Sequence, residues 1–271
     1  MKRILQALND GEVLFGTIIA SGNPANIEVS GYAGYDFVFI DTEHGTTGPL
    51  GKDTEELIRA AYAVDITPLV RVADNDVSQI KKVLDAGAKG IIAPFINTKE
   101  DAKKLAQACL YPPEGNRGAC PGVRAVRYGE MSWFEYMRTS NEELVIAPII
   151  ERTQGIESAE DICSVKGINL VFSGFFDLAM ELGIKPKCGT ALSETEAVLK
   201  DSTIERYTDS LIEKARAKGV YVANVATSAE SALDFVKRGC RVIATPPDVC
   251  MLLATVKNYL DEAKAKIRDE L

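Results

Sequence analysis

A closed (β/α)8 (TIM) barrel, an α/β fold built on parallel strands, is what this sequence predicts, and three observations carry the prediction. Eight short apolar runs rich in branched residues alternate along the chain with stretches of helical period. The runs are nearly continuous in apolar residues, as parallel strands buried on both faces require. The length of 271 residues is close to the ~250 residues of one such barrel. No shift in composition divides it, so residues 1–271 read as a single domain.

Taken in order, the expected strands cover residues 14–20, 37–40, 68–72, 90–95, 144–150, 169–173, 221–225 and 241–245. Helical spacing covers 53–64, 77–86, 99–109, 157–164, 204–217 and 229–237, with a last stretch over 249–270. Several of these end in a glycine with a base nearby, as in Ala217-Lys218-Gly219 and Lys237-Arg238-Gly239. Two connections, 110–134 and 183–203, exceed the usual loop length. Long connections in a compact domain carry function or an interface. The final helix is long and charged enough to run past the barrel and pack on a neighbouring subunit. No GxGxxG follows the first strand and no P-loop occurs, so a doubly wound dinucleotide fold lacks its usual support.

Composition excludes several functions. A net charge of −8 argues against nucleic-acid binding, which calls for a basic face. No apolar run reaches the ~18 residues of a membrane span. The first ten residues are amphipathic and contain an acid, with no secretory h-region. The six cysteines, Cys109, Cys120, Cys163, Cys188, Cys240 and Cys250, are scattered without a CxxC pair. They read as reduced, mostly buried thiols rather than a zinc site or a disulfide framework, and the expected location is cytoplasmic. An acidic protein handling acidic metabolites needs a local positive charge from Arg, Lys or a metal.

Barrel active sites are built at the C-terminal ends of strands and in the loops that follow. Here the second strand runs into Asp41-Thr42-Glu43-His44-Gly45, the third reaches Arg71, the fifth Glu151-Arg152 and the sixth Gly174-Phe175-Phe176-Asp177. His44 is the chain's only histidine, the side chain whose ordinary pKa lies nearest neutrality. Its place after a strand, between acids and a glycine, favours acid–base work over a surface role. Glu151 and Asp177 follow consecutive strands, and two carboxylates on one rim suit a hard divalent cation. The competing readings are an acid–base pair, or helix capping, since Asp177 opens the stretch Asp-Leu-Ala-Met-Glu-Leu-Gly. Facing inward, Arg71 has a fork suited to a carboxylate or an enolate oxygen. The alternative is a structural salt bridge to Asp41 or Glu43.

Together these positions resemble the HpcH/HpaI family of class II, metal-dependent pyruvate aldolases, which includes 4-hydroxy-2-oxo-heptanedioate and 2-keto-3-deoxy-sugar-acid aldolases. The signposts are the stretch from Tyr35 to Gly45, Leu84-Asp85-Ala86-Gly87-Ala88-Lys89-Gly90, Tyr111-Pro112-Pro113-Glu114-Gly115-Asn116-Arg117-Gly118, Arg124-Ala125 and Gly174-Phe175-Phe176-Asp177-Leu178. The resemblance implies cleavage of a 4-hydroxy-2-oxo acid to pyruvate, or a related 2-oxo acid, and an aldehyde. It implies Mg2+, Mn2+ or Co2+ on Glu151 and Asp177, chelated by the keto and carboxylate oxygens of pyruvate. His44, through a metal-bound water, shuttles the aldol proton, and Arg71 stabilises the enolate oxygen. Asp85 lies near the histidine across a subunit interface, which implies a homo-oligomer, a hexamer above all. Gly174, Phe175 and Phe176 border the 2-oxo acid, and Arg124 approaches the distal part of the aldehyde.

Two positions depart from the family pattern. Ile149 stands where a glutamine is usual ahead of the metal glutamate, and Phe175-Phe176 replace Pro-Ser or Pro-Ala. Both changes make the pocket more apolar. The alternatives to an aldolase are a citramalyl- or malyl-CoA-type lyase, for which no basic adenine-accommodating surface stands out, and a barrel that only binds small molecules.

Overall fold

A computed structural model of the protein describes residues 1–186 and 189–270, which leaves Cys188 outside the described residues. Eight parallel strands close on themselves in sequence order. They are β1 (Leu14–Ile19), β2 (Phe37–Asp41), β3 (Thr67–Arg71), β4 (Gly90–Ala93), β5 (Val145–Ile150), β6 (Leu170–Ser173), β7 (Tyr221–Val225) and β8 (Val242–Pro247), with β8 pairing back onto β1. The expected barrel is therefore observed.

Helices alternate with these strands. Before and around the first half come α1 (Ile4–Asn9), α2 (Pro24–Tyr32), α3 (Lys52–Ala63), α4 (Val77–Asp85), α5 (Lys99–Cys109) and α6 (Trp133–Glu143). The second half carries α7 (Thr153–Glu157), α8 (Ala159–Cys163), α9 (Phe175–Glu181), α10 (Ala191–Leu199), α11 (Ser202–Ala217), α12 (Ala229–Arg238) and α13 (Asp248–Glu270). Among the described residues no helix is long and apolar enough to cross a membrane.

The period of two along each strand decides what faces what. Inward-facing Phe37, Phe39, Leu69, Ala147, Phe172 and Ala244 fill the barrel, while Val38, Ile40, Val70, Ile146, Val171 and Ile243 pack against the helices. Gly16 makes room for the widest of the inner side chains. A Cβ there would lie 2.2 Å from the Phe37 ring. The same inward register, carried two residues further, brings Asp41 after Phe39, Arg71 after Leu69 and Glu151 after Ile149. The apolar plug thus ends in a polar layer at the C-terminal mouth.

Several boundaries differ from the sequence reading. Strand β4 stops at Ala93 instead of 95, because Phe95 takes a left-handed φ of 56° that no strand accommodates. The expected helix at 157–164 is observed as α8, and a further short helix, α7, precedes it without having been expected; the two meet at Ser158, whose ψ of 3° breaks the turn. Asp177 does not cap its helix: α9 starts at Phe175 with Gly174 as N-cap, and Asp177 sits within the first turn. Helices α1, α2, α6 and α10 were not expected. Of the cysteines, Cys109, Cys163 and Cys240 are buried, Cys250 is half-buried and Cys120 is exposed, all as free thiols.

Candidate active site

At the C-terminal mouth a cavity of about 380 Å³ is lined by His44, Arg71, Glu151, Gly174, Phe175, Phe176 and Asp177, with Asp41 beneath them. A volume of this size suits a small metabolite. Parallel pairing of β2 with β3 puts Asp41 directly beside Arg71. Asp41 accepts from Arg71 Nε at 2.9 Å and Nη2 at 2.6 Å, a two-pronged pair. It also accepts from the backbone N–H groups of Glu43 (3.1 Å) and His44 (3.2 Å). Burial pushes this carboxyl upward, but the guanidinium and the two amides outweigh it and hold Asp41 below the ordinary carboxylate range. These four donors make Asp41 the organiser of Arg71 and of the loop that carries His44.

Glu43 receives the other side of Arg71, with Nη1 at 3.1 Å from its Oε2. Burial raises its pKa, partly offset by Arg71. Next to it His44 is 70% exposed and turns Nε2 to within 3.9 Å of Glu43 Oε1. An exposed imidazole with a carboxylate behind it can exchange protons with a bound molecule. The salt-bridge alternative for Arg71 is therefore realised, and more than once. Yet the guanidinium has five N–H groups, and this one still borders the cavity.

Glu151 is 5% exposed, in a mouth that also holds Asp177 and Glu43. Burial first, then these two negative neighbours, push its pKa up to about 7 against the pull of a Phe95 amide. That amide donates to Glu151 Oε1 at 2.6 Å, from the residue with the left-handed backbone. Gly174 completes the fit: a Cβ on it would stand 2.3 Å from Glu151 Cβ and 2.9 Å from Oε2. Four carboxylates against one guanidinium leave the mouth short of positive charge. Two hard oxygen donors in such a field fit a divalent cation. Among the described residues no group of three or more His, Cys, Asp or Glu is placed to hold a metal, so small-molecule oxygens would complete any such shell.

The structure brings seven of the nine expected site residues to one cavity and leaves two apart. Asp85 sits at the end of α4, where Arg117 Nη2 donates to it at 3.2 Å, and it borders a flank cavity of about 480 Å³. Arg124 stacks over the Tyr62 ring and donates to the Ala86 carbonyl at 2.8 Å. It borders that flank cavity and another of about 610 Å³, which Lys89 lines just before β4 begins. Both cavities exceed the mouth cavity in size, but neither gathers the carboxylates and imidazole that chemistry needs. Several contributors escaped the sequence reading, among them Thr195, Val225, Val249 and Cys250 of the lining. The Phe95 amide has no sequence signal, and Leu192 of α10 comes from a long connection flagged only by its length.

The sequence pattern of the HpcH/HpaI aldolase/citrate lyase family matches residues 14–254. A hydroxypyruvate/pyruvate aldolase of Roseobacter denitrificans is 31% identical over 254 residues, 93% of each chain. A 2-keto-3-deoxy-L-rhamnonate aldolase of Shigella sonnei is 28% identical over 91% of this chain and 87% of that protein. Among solved structures, an HpcH/HpaI aldolase/citrate lyase family protein from Burkholderia cenocepacia superposes with a TM-score of 0.86 at 27% identity. That match covers 97% of this chain and all of the other.

Proposed function

The chain belongs to the HpcH/HpaI aldolase/citrate lyase family, and from that premise we propose a divalent-metal-dependent aldolase. It would cleave a 4-hydroxy-2-oxo acid to pyruvate, or a close 2-oxo acid, and an aldehyde. The observation that carries this reading is the convergence of His44, Arg71, Glu151 and Asp177 on one cavity at the barrel mouth.

Glu151 and Asp177 would hold the cation, Mg2+, Mn2+ or Co2+, which when bound supplies Lewis-acid polarisation of the substrate's keto and carboxylate oxygens. In the cleavage direction the C3–C4 bond breaks and its electron pair passes toward the 2-oxo group. His44 accepts the proton of the 4-hydroxyl as the aldehyde forms, a role that contributes ~10²–10⁴-fold in rate. Arg71 directs N–H groups at the 2-oxygen as its negative charge grows, and Asp41 and Glu43 keep the guanidinium in place. A proton delivered to C3 completes pyruvate.

Asp85 and Arg124 face away from this cavity within one chain. In this reading Asp85 serves the site of a neighbouring subunit in a homo-oligomer, a hexamer on the family's pattern, whereas Arg124 is held on its own chain by the Tyr62 ring and the Ala86 carbonyl. Arg117, buried beneath Asp85, supports that role by fixing the carboxylate.

The test is oxaloacetate decarboxylation, which generates the pyruvate enolate without knowledge of the aldehyde. Activity lost with chelator and restored by added Mg2+, Mn2+ or Co2+ supports the reading. No activity under any of these metals would remove it.

A further inference from the structure

We propose that the aldehyde handled at this mouth is uncharged and apolar, an alkyl or aryl aldehyde rather than an acidic or polyhydroxylated one. The inference rests on the aldolase reading for the identity of the reaction, but its physical basis is the lining of the cavity. Among the described lining residues Arg71 is the only permanent cation, and its fork already faces Asp41 and Glu43. What remains of its donors is needed at the 2-oxo acid end. A second carboxylate, at the far end of a substrate, would meet no further cation among these lining residues and would stand among Asp41, Glu151 and Asp177.

The rest of the lining has a different chemistry. Phe176 of α9, Leu192 of α10, Val249 and Cys250 of α13, and Val225 at the end of β7 contribute to it together with prolines of β8. Ser173 and Thr195 are the neutral hydroxyls among the described lining residues, too few to pair with a chain of substrate hydroxyls. Each hydroxyl left unpaired in such a lining loses its water without compensation. Phe176 is 51% exposed, yet it is held in place: its ring lies 4.6 Å from that of Phe175, which is 2% exposed. A fixed, uncovered aromatic ring at the mouth offers its face to an apolar tail.

The balance of the reaction assigns this lining to the acceptor. In the condensing direction the new bond joins C3 of pyruvate to the aldehyde carbon, the proton lost from C3 is matched by one gained at the 4-oxygen, and nothing is oxidised. The 2-oxo acid end occupies Arg71, Glu151 and Asp177, so the aldehyde substituent is left to these apolar residues.

Binding of unreactive 2-oxo acids tests this directly. With Mg2+ present, dissociation constants of 2-oxoheptanoate, 2-oxo-4-phenylbutyrate and 2-oxoadipate are measured by calorimetry on the wild-type protein and on Phe176→Ser. The apolar tails should bind at least tenfold more tightly than the dicarboxylate, since one methylene in a hydrophobic pocket discriminates ~10-fold or more. Phe176→Ser should shrink that ratio severalfold. Equal or tighter binding of 2-oxoadipate, a ratio untouched by Phe176→Ser, or no binding of any of the three would overturn the inference. Oxaloacetate decarboxylation, run in parallel, separates the two ideas. Its absence beside intact tail ranking strikes the aldolase reading alone, whereas its presence beside a preference for 2-oxoadipate strikes this inference alone.

Discussion

Replacing His44 by alanine removes the chain's only imidazole from a site where it packs against little and faces solvent. Folding should be unaffected, with the urea midpoint unchanged, while turnover falls at least ~10-fold as the acid–base contribution is lost. Turnover at the wild-type rate would take the imidazole out of the mechanism. Gly174→Ala is predicted to act through its neighbour, because the added Cβ occupies the place of the Glu151 side chain. Metal affinity by calorimetry should drop ~10–100-fold, the usual effect of disturbing a ligand's support. Unchanged affinity would mean that Glu151 is not a ligand. At this scale the site was legible wherever a residue ended a strand. His44, Arg71, Glu151 and Asp177 each follow an apolar run, and the alternation of inward positions brings them together. Asp85 and Arg124 were singled out by resemblance alone, and the single chain leaves them elsewhere. The Phe95 amide was illegible because it is a backbone group aimed by a left-handed turn, on which the side chain has no bearing.

Among the elements, the start of α13 is fastened to the loop after β1 by one carboxylate. Asp248 Oδ1 accepts from the N–H groups of Ala20 (3.0 Å) and Ser21 (3.2 Å), and Oδ2 from Asn26 Nδ2 (2.7 Å) and the Ser21 hydroxyl. Burial raises the Asp248 pKa, but these donors outweigh it and the net shift is downward. Asp248→Ala should cost ~2 kcal/mol at neutral pH, in the range for hydrogen bonds to a charged group. A folded pKa below the unfolded one gives stability that is full above the ordinary carboxylate value and is lost as pH falls through the folded value. The gap in unfolding free energy between wild type and Asp248→Ala, read from urea titrations, should therefore narrow in acid. A gap independent of pH would contradict the assignment. The strands were readable because their branched apolar runs are short and bounded, and β7 falls where expected. The missed helices are short or weakly patterned: α1 spans only six residues, although Ile4, Ala7 and Leu8 are buried on one face. Helix α6 buries no residue at all, and α2 is signalled only by the Asn23 cap and Pro24 at its start. Helix α7 was missed because its five residues make little more than one turn.

For the molecule as a whole, the uncovered surface of α13 matters most. None of its described side chains is buried, and Leu252, Leu253, Val256, Leu260 and Ile267 are all exposed. Leucines spaced this way ask for a partner helix or subunit. Leu252→Glu combined with Leu253→Glu should lower the assembly state seen by analytical ultracentrifugation, and an unaltered sedimentation coefficient would remove α13 from the interface. The barrel itself was legible at this scale from the count and character of the strands, and the outward course of α13 from its length and charge. At the mouth, an acidic cavity with one committed guanidinium is proposed to activate pyruvate through a cation that Glu151 and Asp177 would hold. Exchange of pyruvate methyl protons for deuterium, followed by NMR in D2O, reports on that activation with no aldehyde present. Exchange is expected with Mg2+, Mn2+ or Co2+, should stop on chelation and should be absent from the Glu151→Ala, Asp177→Ala double variant. Exchange that persists in that folded double variant, or none in the wild type with any of these metals, would contradict the proposed activation.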